Sequence, residues 1–107
     1  MPSLAATTDR INVLLERMAS GDDLERDPLE ETLTDGYAWA LELDAECGRL
    51  ERLISAKAEK LAYESSEEQI RELSTLARLL SSRRGERDSL RELLAGLRSG
   101  VREARVA

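Results

Sequence analysis

The sequence predicts an all-α protein: a long antiparallel helical hairpin of coiled-coil type with a short N-terminal helix. Proline is absent from residues 29–107, so nothing there forces a helix to stop. Apolar residues recur at heptad spacing in two long stretches, separated by a single polar break at residues 64–67. Aromatic residues make up only 3% of the chain, so few residues favour strands. Its 107 residues suit one domain, 1–107.

The N-terminal region predicts one short helix. Residues 1–7 lack periodicity and are expected to be frayed. Thr8 can cap a helix over residues 8–19, whose apolar positions fall on one face. Gly21 fits a C-terminal stop, because glycine accepts the left-handed conformation that often ends a helix.

A second helix is predicted over residues 28–64. Asp27 is a favourable cap, and Pro28 is tolerated in a first turn. Two seam positions then repeat at heptad spacing. The predicted seam contains Leu29, Leu33, Gly36, Ala40, Leu43, Cys47, Leu50, Ile54, Lys57 and Leu61.

The third helix is predicted over residues 67–105, with Ser65 or Ser66 as its cap. Its seam is expected to contain Ile70, Leu73, Ala77 and Leu80, and then Leu90, Leu94, Leu97, Val101 and Ala104. The step from Leu80 to Leu90 is not a whole heptad. This interruption predicts either a local change of coil register or a kink. The residues expected to set the register or form a hinge are Arg83, Arg84, Gly85 and Arg87.

The predicted hairpin also pairs glycines. If the turn is centred between Ser65 and Ser66, opposed residue numbers sum to about 131–133. Gly85 then lies opposite Gly48, and Gly96 opposite Gly36. Glycine is costly inside a helix. Such pairs indicate close backbone approach or a bulky group in the gap, unless they coincide by chance.

The apolar stripes are wider than one seam, which implies more than one neighbour. The short helix reaches only one end of the hairpin, so the other end should stay exposed in a monomer. This predicts a homodimer that forms a helical bundle, or docking of another helical protein. Tyr37 and Trp39 are either core residues or partner anchors. The predicted interface contains Leu53, Leu76, Leu79, Tyr37 and Trp39.

Composition argues against an enzyme. Histidine is absent, and a single cysteine excludes an intrachain disulfide and a cysteine-cluster zinc site. No phosphate-binding glycine loop or nucleophile elbow is present, so no cofactor, metal or catalytic residue is predicted. Cys47 occupies a seam position and is interpreted as a core residue, with a reactive thiol as the alternative.

The formal net charge of −6 argues against nucleic-acid binding, which usually requires a basic surface. The alternative is a nucleic-acid-associated regulator that uses the arginine cluster of the third helix, Arg83, Arg84, Arg87 and Arg91. A salt-bridge network with acidic residues of the second helix would also explain these arginines. No apolar run approaches the roughly 20 residues that span a bilayer. We therefore expect a cytoplasmic, non-enzymatic interaction module: a scaffold, adaptor or chaperone-like protein.

Overall fold

The computed structural model describes residues 1–106, with side chains described through residue 103. It contains three helices: α1 (Leu4–Ala19), α2 (Arg26–Leu61) and α3 (Glu67–Val106). The protein is 86% helical, and the described residues form no strand. The all-α prediction is therefore confirmed.

Helix α1 begins four residues earlier than predicted. Ser3, not Thr8, is its cap, because the Ser3 hydroxyl oxygen accepts a hydrogen bond from the Ala6 N–H at 3.1 Å. Thr7, expected in a frayed segment, is fully buried. The indole N–H of Trp39 donates a hydrogen bond to the Pro2 carbonyl oxygen at 2.9 Å. That bond joins the N-terminal segment to a residue 37 positions away in the sequence. Local periodicity therefore does not predict it.

The signals at Gly21 and Ser66 are confirmed, whereas Asp27, the predicted cap of α2, lies inside the helix. Gly21 has a φ of +79° and follows the end of α1, as its predicted stop role requires. Helix α2 begins at Arg26, so Pro28 lies inside the first turn, where its missing N–H costs nothing. It ends at Leu61, three residues before the predicted end. Ser66 caps α3, since its hydroxyl oxygen accepts a hydrogen bond from the Gln69 N–H at 3.2 Å.

The predicted seam of α2 is reproduced by burial. Every one of its ten positions is buried or half-buried. Lys57 belongs to this set because its aliphatic stem can lie along the seam while the ammonium group reaches the Glu72 carboxylate, 2.7 Å away.

The predicted change of coil register in α3 is wrong, whereas the alternative, a kink at Gly85, stays a prediction. Ile70 is 52% exposed and Ala77 is exposed, so neither belongs to the seam. Half-buried and buried residues instead recur in steps of four and three without a slip. Arg83 and Arg87 occupy two of these positions, and α3 continues through Gly85 without a break. The observed seam is Gln69, Leu73, Leu76, Leu80, Arg83, Arg87, Leu90, Leu94, Leu97 and Val101. Ala104 lies outside the described side chains.

The chain divides into two compact units, and the single domain expected from the sequence stays a prediction. The first unit comprises Met1–Leu41 and Asp88–Ala107, and the second comprises Glu42–Arg87. Helix α1 has 16 residues, about 24 Å at 1.5 Å per residue, whereas α2 has 36 residues, about 54 Å. Three helices can therefore pack together only over the stretch that α1 reaches.

In the first unit, Gly36 lets neighbouring side chains reach the α2 backbone. A Cβ atom there would lie 2.5 Å from Cδ2 of Leu94 and 3.4 Å from Cδ1 of Ile11. The predicted partner, Gly96, instead has Leu15 as its neighbour, at 3.7 Å. A bulky group thus fills the gap at Gly36, which is one of the two outcomes that the sequence left open.

The second unit has its own small core. Cys47, Leu50 and Leu80 form the buried cluster, and Ile54, Leu76 and Leu79 pack against it. Gly48 and Gly85 add no close packing. A Cβ atom at Gly85 would meet nothing within 4 Å, and one at Gly48 would meet Arg52 of the same helix. Their predicted opposition therefore has no packing role.

Candidate interaction surfaces

Four ion pairs join α2 to α3 within the second unit. Lys57 pairs with Glu72 at 2.7 Å and Arg84 with Glu51 at 2.8 Å. Arg83 pairs with Glu46 at 2.9 Å and Arg87 with Asp44 at 3.1 Å. Along α2 the paired residue numbers fall from 57 to 44, while along α3 they rise overall from 72 to 87, with Arg84 and Arg83 reversed. We call these four pairs the ion-pair ladder.

Arg83 forms two ion pairs within the second unit, with Glu46 and Glu86. Its Nε donates to Glu46, and its Nη1 donates to Glu86 at 3.0 Å. The hydrogen bond to Glu46 and the negative charges of Glu46 and Glu86 raise the pKa of Arg83 above its ordinary value. The arginines expected to form a register element thus face carboxylates of their own unit. Gly85, the fourth member of that set, lies beside them without close packing.

The predicted leucine interface is smaller than expected. Leu53 is 43% exposed, whereas Leu76 and Leu79 are half-buried against the core cluster of their unit. Leu53 and Leu79 each precede a seam residue by one position, Ile54 and Leu80 respectively. In an antiparallel hairpin such positions lie on the same flank. We call Leu53 and Leu79, one exposed and one half-buried, the leucine patch.

The structure separates the two aromatic residues that were predicted to act together. Trp39 is half-buried, and its indole N–H is bonded to Pro2. Tyr37 is 39% exposed, and the Arg98 guanidinium carbon lies 6.0 Å from the centre of its ring. Of these two residues, Tyr37 is therefore the one that is exposed enough to contact another molecule.

Tyr37 lies at the edge of an apolar groove on α2 and α3 of the first unit. The groove encloses about 370 Å³, and we call it the arginine groove. Leu41 is 73% exposed beside it. The sequence does not predict this groove, although Tyr37 and Leu41 lie one turn apart and off the predicted seam. The groove is lined by Tyr37, Ala40, Leu41, Arg91, Leu94, Ala95 and Arg98.

Among the described residues, no group of three or more potential metal-ligating side chains occurs. Cys47 is 1% exposed and packs against Leu50 and Leu80, where reagents in solution do not reach its thiol. None of the helices, over the part of the chain described, is long and apolar enough to cross a membrane.

Comparison with protein-family models, with curated proteins and with solved structures found no match to this chain.

Proposed function

We propose that this protein is a cytoplasmic, non-enzymatic helical interaction module that acts as a scaffold, adaptor or chaperone-like protein. In this proposal α2 and α3 pair as an antiparallel coiled-coil hairpin, and two chains associate through the leucine patch into a dimeric bundle. The observation that carries it is Leu53, a leucine that is 43% exposed directly beside the seam of the second unit.

Incomplete coverage of the second unit supports self-association. Helix α1 belongs to the first unit, so two helices alone cover the cluster of Cys47, Leu50 and Leu80. Leu76 and Leu79 remain half-buried and Leu53 more open. A pair of helices buries one narrow seam, whereas four helices bury a central core. An isologous contact between two leucine patches would close as a two-fold dimer.

Sedimentation velocity at micromolar concentration tests the proposal. We expect a dimer for the wild-type chain and a monomer for Leu53→Glu, because a charge in an apolar interface loses its hydration without gaining a partner. Leu41→Glu is the matched control: it makes the same change at an exposed leucine in the other unit and should stay dimeric. A wild-type chain that remains monomeric would contradict the dimer and leave the leucine patch to another helical protein.

The ion-pair ladder weighs against the nucleic-acid alternative. Arg83, Arg84 and Arg87 each pair with a carboxylate of α2, so phosphate contacts would compete with existing pairs. A net charge of −6 adds long-range repulsion. Salt-dependent binding of DNA or RNA fragments at low ionic strength would favour that alternative. We expect no such binding in an electrophoretic mobility assay.

A further inference from the structure

We propose that the arginine groove binds an acidic amphipathic helix of another protein. The inference rests on the proposed function, since it assigns a partner class to an exposed apolar helix face. It uses a surface in the first unit, separate from the leucine patch. The two proposals can therefore fail independently.

The shape of the groove suits a helix better than an enclosed small molecule. Ala40 and Leu94 are buried and form its floor, and Tyr37 and Leu41 form a wall one turn long on α2. Ala95 is small and keeps the α3 side shallow. Its volume of about 370 Å³ suffices for apolar side chains of an amphipathic helix, which commonly docks by laying such anchors into a groove. Leu41, 73% exposed, would gain most from being covered.

Charge selects the kind of helix. Arg91 and Arg98 line the groove one heptad apart on α3, a separation of about 10.5 Å along the helix axis. Because Arg91 already has a partner within the chain, Arg98 is the group that a carboxylate of a docked helix would meet. Arg98 lies over the Tyr37 ring, 6.0 Å from its centre, which holds its charge at the groove. Arginine also binds carboxylates through two parallel hydrogen bonds, which adds specificity.

A second copy of this chain is the obvious competitor. The outer face of α1 carries Asp9 and Glu16 one heptad apart, with the exposed Val13 between them. However, α1 contacts α2 at Asp35 and Gly36, while the groove lies at Tyr37 and Leu41. These are different residues of α2, so docking α1 into the groove of a neighbour would be a head-to-tail contact, which builds a ring or an open filament and not the two-fold dimer proposed above. We therefore assign the groove to a different chain.

A display selection tests the assignment. The immobilised full-length protein is presented with a library of helical peptides that have fixed leucine anchors and randomised flanking positions. We expect the selected peptides to carry Asp or Glu at a flanking position, where the carboxylate meets Arg98. Their affinity is then measured by fluorescence anisotropy against the wild-type protein, two groove variants and two control variants.

The groove variants are Arg98→Glu and Leu41→Glu, and each should weaken peptide binding by about tenfold or more. The controls are Arg78→Glu, which reverses an exposed arginine on α3 of the second unit, and Leu53→Glu in the leucine patch. Both should bind like the wild type, apart from a small general effect of net charge. Circular dichroism confirms that each variant is folded.

Any one of four results would overturn the assignment. Three concern the peptides: that the selection yields no binder, that the selected peptides show no acidic preference, or that their binding is unchanged by Arg98→Glu and Leu41→Glu. The fourth is concentration-dependent growth of wild-type oligomers that Arg98→Glu abolishes, because the occupant would then be a second copy. Loss of self-association in Leu53→Glu tests only the leucine patch and leaves this assignment intact.

Discussion

Arg83 of α3 donates a hydrogen bond from Nε to Glu46 of α2 across 2.9 Å, from a position inside the apolar seam. It follows Leu80 by three residues and precedes Arg87 by four, so the heptad spacing never breaks. A charged residue in a seam favours the one alignment in which its partner is opposite. We therefore expect this pair to help fix the register of the second unit.

The raised pKa of Arg83 gives this pair a defined pH dependence. Stability from a group whose pKa is raised on folding is fully present below its unfolded-state pKa and is lost as pH rises through the folded-state value. For an arginine that window lies in strong alkali. The stability difference between wild type and Arg83→Met should thus stay constant between about pH 7 and about pH 10. Urea titrations at both pH values measure it, and a difference that shrinks toward pH 10 would contradict the expectation.

Gly36 and Gly85 should respond in opposite ways to alanine. Gly36→Ala places a Cβ atom 2.5 Å from Leu94, which is itself buried, so overpacking should lower the free energy of unfolding by about 1–3 kcal/mol. Gly85→Ala meets nothing within 4 Å and should raise it by about 0.5–1 kcal/mol, the helix propensity difference. Urea denaturation of both variants decides. Stabilisation by Gly36→Ala would show that Leu94 moves aside.

Cys47 should behave as a buried core residue and not as a reactive thiol. Cys47→Ser places a hydroxyl among Leu50 and Leu80 and should cost about 1–3 kcal/mol of stability. Cys47→Ala, which removes the sulfur without adding a polar group, should cost less. In the wild type, a thiol reagent should label Cys47 no faster than the second unit opens. Rapid labelling under native conditions, with urea stability unchanged, would contradict this assignment.

The bond from Trp39 to Pro2 should protect the first turn of α1. Trp39→Phe removes the donor while keeping an aromatic ring, at a cost of about 0.5–1.5 kcal/mol. The amide of Thr7, which donates to the Ser3 carbonyl oxygen at 2.9 Å, should then exchange faster with deuterium. Tyr37→Phe, two residues away and outside that bond, is the control and should leave this exchange unchanged. Equal exchange in the wild type and Trp39→Phe would mean that α1 is held by other contacts.

The helices could be predicted from the sequence because their causes are local. Heptad spacing identified all ten inward positions of α2, and Ser66 was among the expected caps of α3. The α3 seam could not be predicted from apolar residues alone, because some of its inward positions hold polar residues. Arg83 and Arg87 have long aliphatic stems and nearby carboxylates, so they occupy such positions without being apolar.

The candidate surfaces were harder to predict because exposure depends on which helix covers which. Trp39 and Tyr37 are two residues apart, yet one is bonded to Pro2 and the other borders the arginine groove. That difference depends on the position of α1, which is set by contacts between residues far apart in the sequence. Leu41 was likewise visible as an off-seam leucine, but its 73% exposure follows only from the packed structure.

Trp39 is the only tryptophan of the chain, and its indole is bonded to the N-terminal segment. The molecule therefore carries a built-in optical reporter of α1 attachment. Tryptophan emission shifts to longer wavelengths when the ring enters water, while far-ultraviolet circular dichroism follows total helix content. Because α1 contributes 16 residues of helix, its release would move the emission strongly and the ellipticity little. Recording both signals during one thermal melt would show whether α1 is released before the long helices unfold.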